Sequence, residues 1–237
     1  MHEAVLSAHE PMYFLLGSRQ GTSARFQLSF KYRLFDDDSG WGKDRPWLTS
    51  LYFAYTQNSF WDLSAQSKPF RDTSYRPSVF WQWQRTDDKT WIDAARIGLE
   101  HESNGRGGFD SRSMNTFFVQ PVWRWKLDDA RAFTFEPRFQ GYLEKGDNPD
   151  IQKYRGYVDW RARLGREDGL ILATNLRVGS SGRGSVQLDA SFPSREELFG
   201  RFGGHWHLQY FNGYGEDILG YSQKRDAQIR IGFSIVR

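Results

Sequence analysis

Three residues in the middle of the chain have the types and spacing of a nucleophilic hydrolase site. Residues 97–103 read Ile-Gly-Leu-Glu-His-Glu-Ser. In an extended strand the side chains alternate between faces, so Ile97, Leu99, His101 and Ser103 share the apolar face. His101 and Ser103 are then ~6.6 Å apart along the backbone, close enough for side chains that lean together to hydrogen-bond. The next extended run gives Asn115 the parity of Phe117, Val119 and Trp123, so it faces the same way. If 102–114 forms the connecting loop, Asn115 becomes a cross-strand neighbour of His101, within ~5.5 Å backbone to backbone. In this constellation Ser103 is the nucleophile and His101 the base. Asn115 accepts the other imidazole N–H and fixes the tautomer. The same residues read equally well as rim residues at water level, since His-x-Ser alone is a weak motif.

The elements that must position them have a period of two. Residues 25–34 place Phe26, Leu28, Phe30 and Tyr32 on one face and Gln27, Ser29, Lys31 and Arg33 on the other. The pattern predicts twelve strands, at 12–18, 25–34, 47–56, 77–85, 92–101, 115–126, 132–143, 154–164, 169–178, 184–192, 203–211 and 226–236. Short polar turns (Thr86-Asp87-Asp88-Lys89, Leu127-Asp128-Asp129-Ala130, Arg166-Glu167-Asp168-Gly169) alternate with longer segments at 57–76, 102–114, 144–153 and 212–225. An even number of ten-residue strands, tight at one end and with an apolar face that ends in rings, predicts an all-β fold. The expected form is a twelve-stranded antiparallel transmembrane β-barrel of the bacterial outer membrane, a single domain over 1–237 with a polar interior. The soluble alternative, a β-sandwich or lipocalin-like barrel, would leave too many charges on one face and too many exposed rings on the other.

Composition narrows the classes. The 237 residues contain no Cys, which excludes disulfides, thiolate zinc sites and cysteine nucleophiles. Aromatic residues make up 17% and charged residues 26%, at a mean hydropathy of −0.71. No apolar run reaches the ~20 residues of a transmembrane helix. The 32 basic and 29 acidic residues are spread along the chain, so no nucleic-acid-binding stripe is expected. The opening Met1-His2-Glu3 lacks a secretory signal, the pattern of a cytosolic chain or of a mature form whose signal has been removed.

From Tyr55-Thr56-Gln57 through Ser59, Trp61, Leu63 and Ser64, then Pro69-Phe70-Arg71, Thr73 and Tyr75, the sequence resembles the outer membrane phospholipase A family. The resemblance continues through His101-Glu102-Ser103-Asn104-Gly105-Arg106 to Ser111-Arg112-Ser113 and Asn115, and again at Tyr214-Gly215-Glu216. It implies a calcium-dependent, dimeric outer-membrane phospholipase (A1/A2) that hydrolyses acyl esters of phospholipids, with its Ser-His-Asn site on the outer barrel surface toward the outer leaflet. By the same resemblance, Ca2+ would be bound by the backbone oxygen of Arg106, the hydroxyl of Ser111 and a backbone oxygen of Ser67 in the other subunit of the homodimer. Such an all-oxygen set suits a hard cation. Backbone N–H groups near Gly105 would complete the oxyanion site. The loop holding Ser67 is two residues shorter than the family pattern. Gln57 should face lipid and, by the resemblance, pair across the dimer interface; otherwise it is an amide at headgroup level.

Other candidates carry less. His205 and His207 share one face, opposite in parity to Trp206 and Leu208, and are expected to pack inside the barrel. Asp36-Asp37-Asp38 reads as a solvated loop, and Gly179-Ser180-Ser181-Gly182-Arg183-Gly184 as a hairpin without a phosphate-loop Lys. The chain ends Ile235-Val236-Arg237, where outer-membrane barrels usually end on an aromatic residue. The competing functional class is a non-catalytic pore or structural barrel of the same fold.

Overall fold

In the strand Ser23–Arg33 the two faces have the reverse of their usual environments. Arg25, Gln27, Ser29 and Lys31 are buried, whereas Leu28, Phe30 and Tyr32 are about half exposed. The same inversion recurs around the molecule, with Val79, Leu99, Phe117, Leu172, Leu188, Leu208 and Ile231 all exposed. Side chains this apolar are stable outside only if the surrounding medium is hydrocarbon, and the buried polar face then lines the interior. Among the described residues no helix is long and apolar enough to cross a membrane.

The structure is a computed structural model and describes residues 4–18, 21–86, 90–194 and 203–237. The strands are β1 (Leu6–Ala8), β2 (Met12–Gly17), β3 (Ser23–Arg33), β4 (Leu51–Asp62), β5 (Phe70–Gln84), β6 (Ala94–Ser103) and β7 (Ser113–Lys126). They continue as β8 (Arg131–Phe135), β9 (Arg138–Glu144), β10 (Val158–Arg166), β11 (Ile171–Val178), β12 (Gly184–Pro193), β13 (His205–Gly213) and β14 (Arg225–Val236). All pairings are antiparallel, and β2 lies between β3 and β14, which closes the sheet. β1 and β2 follow one another along β3, and β8 and β9 both lie between β7 and β10, so the strands make twelve staves.

The two interruptions have different causes. Ala8 faces Phe30 but Tyr13 faces Gln27, so five steps on one strand match three on the other. The two extra residues bulge into the barrel. His9 stacks on Phe80 with ring centroids 5.1 Å apart, and Glu10 meets Arg76 at 3.3 Å and Arg161 at 3.4 Å. The expected strand 132–143 breaks at Pro137, which has no N–H for the ladder. Beside it the Glu136 N–H still reaches the Arg161 carbonyl, at 2.9 Å.

The ends depart from the expected pattern. The end that holds β1 and the C-terminus has tight turns at 127–130 and 167–170, yet also the long connection 34–50. That connection carries α1 (Gly40–Asp44), capped by the Ser39 hydroxyl on the Gly42 N–H, and a 3-10 helix over Pro46–Ser50. The stave predicted from 47 therefore starts at Leu51, because Pro46 favours a helical start. The opposite end has the connections 63–69, 104–112, 145–157 and 214–224, but also the short 18–22 and 179–183. The hairpin expected as a loop over 57–76 is mostly strand, and α2 (Gln152–Arg155) replaces the expected start of β10. The predicted turn at Thr86-Asp87-Asp88-Lys89 falls at 87–89 outside the described residues, as does the opening Met1-His2-Glu3.

Inside, ion pairs tie neighbouring staves to one another and the loops to the wall: Arg76–Glu100, Arg138–Glu100, Arg155–Glu102, Arg177–Asp159 and Arg230–Glu216, all at 3.0 Å or less. His207 turns inward and bonds Asp189 at 2.8 Å. Arg237 turns back to donate to the carbonyls of Gly169, Ser191 and Glu167, tying the last residue to the turn-bearing end.

Candidate active site

β6 ends at Ser103 and β7 begins at Ser113, with the loop 104–112 between them. The register sets His101 directly opposite Asn115 and Ser103 opposite Ser113, while Tyr75 of β5 lies on the other side of Ser103. The alternation that exposes Leu99 and Phe117 carries His101, Ser103 and Asn115 to the outer surface. Glu100, Glu102 and Met114, of the other parity, are buried. The site thus sits at the end of the barrel opposite β1 and the C-terminus, just beyond its apolar wall.

The Nδ1 of His101 lies 2.8 Å from Oδ1 of Asn115. An amide oxygen can only accept, so Nδ1 carries the proton and Nε2 is left with a lone pair. Among the described residues no hydrogen bond reaches the Ser103 hydroxyl; nucleophile–base contacts are often loose without substrate and tighten when it binds.

The inward residues hold this pair of strands in place. Glu102, between His101 and Ser103, accepts from Ser74 at 2.7 Å and from Arg155 at 2.9 Å. Arg155 also donates to the Gly215 carbonyl at 3.2 Å, so α2 and the loop 214–224 brace the back of the site. Met114 is buried against Ile151, Ile218 and Tyr221. Tyr221 donates to Asp150 at 2.6 Å; its burial, with the carboxylate alongside, pushes the phenol above its usual range.

Gly105 has φ +67°, and a Cβ there would lie 3.1 Å from the Tyr75 ring. Both facts favour glycine. Ser111 donates to Asp147 at 2.8 Å, and Ser113 to the same oxygen at 3.2 Å. Asp147 is absent from the sequence-based candidates. Its signal was the predicted loop 144–153, which reaches the site because β9 pairs with β7. The carboxylate against the Ser111 hydroxyl places two oxygen donors together, the ligand type a hard divalent cation takes, with the Arg112 guanidinium 2.6 Å from the Ser111 carbonyl beside them. Among the described residues no group of three or more His, Cys, Asp or Glu is poised for a metal. The Arg106 side chain reaches the carbonyls of Phe70 at 3.1 Å and Arg71 at 2.6 Å, clamping its loop to β5.

Ser67 is exposed on the separate loop 63–69, where Ser67 and Lys68 have φ 62° and 43°. The Trp61 indole holds this loop through the Lys68 carbonyl at 2.7 Å. Gln57 shares the outward face with Tyr55 and Ser59, and its amide bonds both within one chain. Tyr55 donates to its Oε1 at 3.1 Å, and its Nε2 donates to Ser59 at 3.2 Å. Side chains two apart on one strand face are close enough to satisfy each other within one chain.

A family model described as phospholipase A1 matches residues 4–235. A putative phospholipase A1 of Neisseria meningitidis serogroup B is 29% identical over 217 residues, 89% of this chain and 54% of that protein. The phospholipase A1 of Escherichia coli K12 is 28% identical over 217 residues, 90% of this chain and 68% of that protein. This chain therefore spans about half the length of the meningococcal relative. Among solved structures, outer membrane phospholipase A from Escherichia coli superposes with a TM-score of 0.79 at 22% identity, covering 100% of this chain and 94% of that one. An active-site mutant of the same enzyme, asparagine to alanine, matches equally well. The Salmonella typhi outer membrane phospholipase, described as a dimer with bound calcium, gives 0.79 at 22% identity over 98% of this chain and 92% of that one. At that identity the likeness shows the fold.

Proposed function

Because this chain belongs to the phospholipase A1 family, we propose that it is an outer-membrane enzyme that hydrolyses the acyl esters of phospholipids, at sn-1 and sn-2, through Ser103. The observation that carries the proposal is the 2.8 Å contact between His101 and Asn115 on the outward face, two residues from Ser103. Three polar side chains in register on the outward face, at the rim of the apolar wall, lie where the ester of a surrounding phospholipid can reach them.

In the acylation half of the reaction, Nε2 of His101 takes the Ser103 hydroxyl proton as Oγ attacks the ester carbonyl. The tetrahedral oxyanion forms beside the backbone N–H of Gly105. As it collapses, the acyl–oxygen bond to glycerol breaks, and the imidazolium returns its proton to the departing lysophospholipid alkoxide. Water, deprotonated by His101, then attacks the acyl-Ser103 carbonyl, and the imidazolium returns that proton to Ser103 Oγ as the bond to it breaks and the fatty acid leaves. Asn115 holds the ring in one tautomer throughout. Calcium, when bound, supplies positive charge that stabilises the oxyanion. Arg106 through its backbone oxygen, Ser111 through its hydroxyl and the partner subunit's Ser67 through its backbone oxygen would hold it. The Asp147 carboxylate beside the Ser111 hydroxyl supports that reading, as does the calcium-bound dimer described for the Salmonella relative. Gln57, in the outward polar row with Tyr55 and Ser59, would then lie at the dimer interface. The site faces the outer leaflet in this reading, since it lies at the barrel end away from the termini and the tight turns.

The test is fatty-acid release from phospholipid micelles with and without a calcium chelator, in native protein and in Ser103→Ala. The variant should fold and lose several orders of magnitude in turnover. Near-native hydrolysis by Ser103→Ala would refute the assignment.

A further inference from the structure

We propose that Asn104 is the positioning residue of the site: its buried amide shapes the loop that presents Gly105, Arg106 and Ser111. The inference rests on the reading of that loop as the calcium and oxyanion region. Asn104 follows Ser103 and has the opposite parity, so its side chain turns inward and is 5% exposed. Its Oδ1 accepts two backbone N–H groups, from Arg112 at 3.0 Å and Arg106 at 3.3 Å. Its Nδ2 donates to the Asp110 carbonyl at 2.8 Å, and its own N–H donates to the Arg112 carbonyl at 3.0 Å.

One planar group therefore fixes the loop at three backbone points, two near its end and one near its start. Arg106 is one of the bonded residues, Gly105 lies between it and Asn104, and Ser111 lies between the other two. Each proposed functional group is thus within one residue of a fixed atom. The loop needs this because Gly105, Gly107 and Gly108 give it more conformational freedom than ordinary residues would. Gly105 and Gly108 adopt φ of +67° and +64°, backbone shapes that the amide must select from many. The bonding also explains the residue type: an amide both accepts and donates, whereas a carboxylate of the same shape only accepts and a serine is too short to span three points. Asn104 touches neither substrate nor metal in this role; it acts through the loop.

The experiment compares native protein, Asn104→Ala and Asn104→Asp in detergent. Calcium affinity is measured by titration calorimetry, activity as a function of calcium, and amide protection by hydrogen exchange. Loss of a group that orients a metal site typically lowers affinity by about 10- to 100-fold. Asn104→Ala should shift calcium binding by that factor and expose the Arg106 and Arg112 amides to faster exchange. It should recover much of its kcat when calcium is raised to saturation. Asn104→Asp, which keeps the two acceptor contacts and loses the donor to Asp110, should fall between the two, and carries the comparison if the alanine variant fails to fold. Native-like calcium affinity and amide protection in the variants, with native protein binding calcium, would overturn the role of Asn104 alone. A native protein that binds no calcium would overturn the calcium reading and this inference with it.

Discussion

Replacing Asn115 by alanine removes one hydrogen bond whose worth can be worked from its setting. The acceptor is a neutral amide 2.8 Å from the imidazole, on an exposed surface. During the reaction the ring becomes an imidazolium, so the bond changes from neutral to charge-assisted, and such bonds contribute about 1.5–3 kcal/mol. Water replaces part of that at an exposed position, which favours the lower half of the range. At about 1.4 kcal/mol per tenfold in rate, kcat should fall about 10- to 40-fold in Asn115→Ala. His101→Ala removes the base itself and should cost on the order of 10⁴-fold or more. Barrel stability should stay within about 0.5 kcal/mol of native, since an exposed amide supports no buried contact. The assay is turnover of phospholipid in mixed micelles at saturating calcium, with unfolding of both variants followed in parallel. Equal losses in Asn115→Ala and His101→Ala, at unchanged stability, would refute the view that the amide only orients and modestly stabilises the ring.

Arg155→Leu should destabilise the folded barrel by about 3–5 kcal/mol, because it strands Glu102 in the interior; Glu102→Gln in the same chain should restore part of the loss in a denaturant titration. If calcium links Ser111 and Arg106 of one subunit to the partner subunit's Ser67, turnover should track the dimer fraction as calcium is titrated. A strictly monomeric, chelator-treated sample should be nearly inactive and Ser111→Ala should need more calcium, with light scattering and activity measured on the same samples.

The staves and the outward placement of the site were legible because both depend on parity alone. Once Leu99 and Phe117 are assigned to the lipid face, His101, Ser103 and Asn115 follow, and the register pairs His101 with Asn115 as the spacing implied. Alternation stops being informative where the wall leaves hydrocarbon. β4 and β5 run on through Asn58-Ser59 and Thr73-Ser74, where both faces are polar, so the hairpin read as a loop. The bulge at His9-Glu10 depends on Arg76 and Arg161, 66 and 151 residues away, and nothing local marks it except Pro11. Pro137 did mark the break in its stave, but the surrounding Phe133, Phe135 and Phe139 alternate so regularly that the period masked it. Asp147 and Asn104 escaped for opposite reasons. Asp147 lies on a loop brought in by strand pairing, whereas Asn104 is an ordinary neighbour of the nucleophile until its three backbone partners are known.

The interior ion pairs bear on how such a wall can be built. Arg71 meets Asp217 across 146 residues of chain, and Arg25 meets Glu216 at 4.0 Å. A barrel assembled stave by stave would bring its early arginines to the bilayer long before their partners arrived, with an open strand edge beside them. Neither the charges nor the edge are tolerated in hydrocarbon, so no partial ring is a resting point. Closure of β2 on β14 and passage of the chain into the membrane are then a single event, and the last stave is as necessary to the first turn of lumen as the first is.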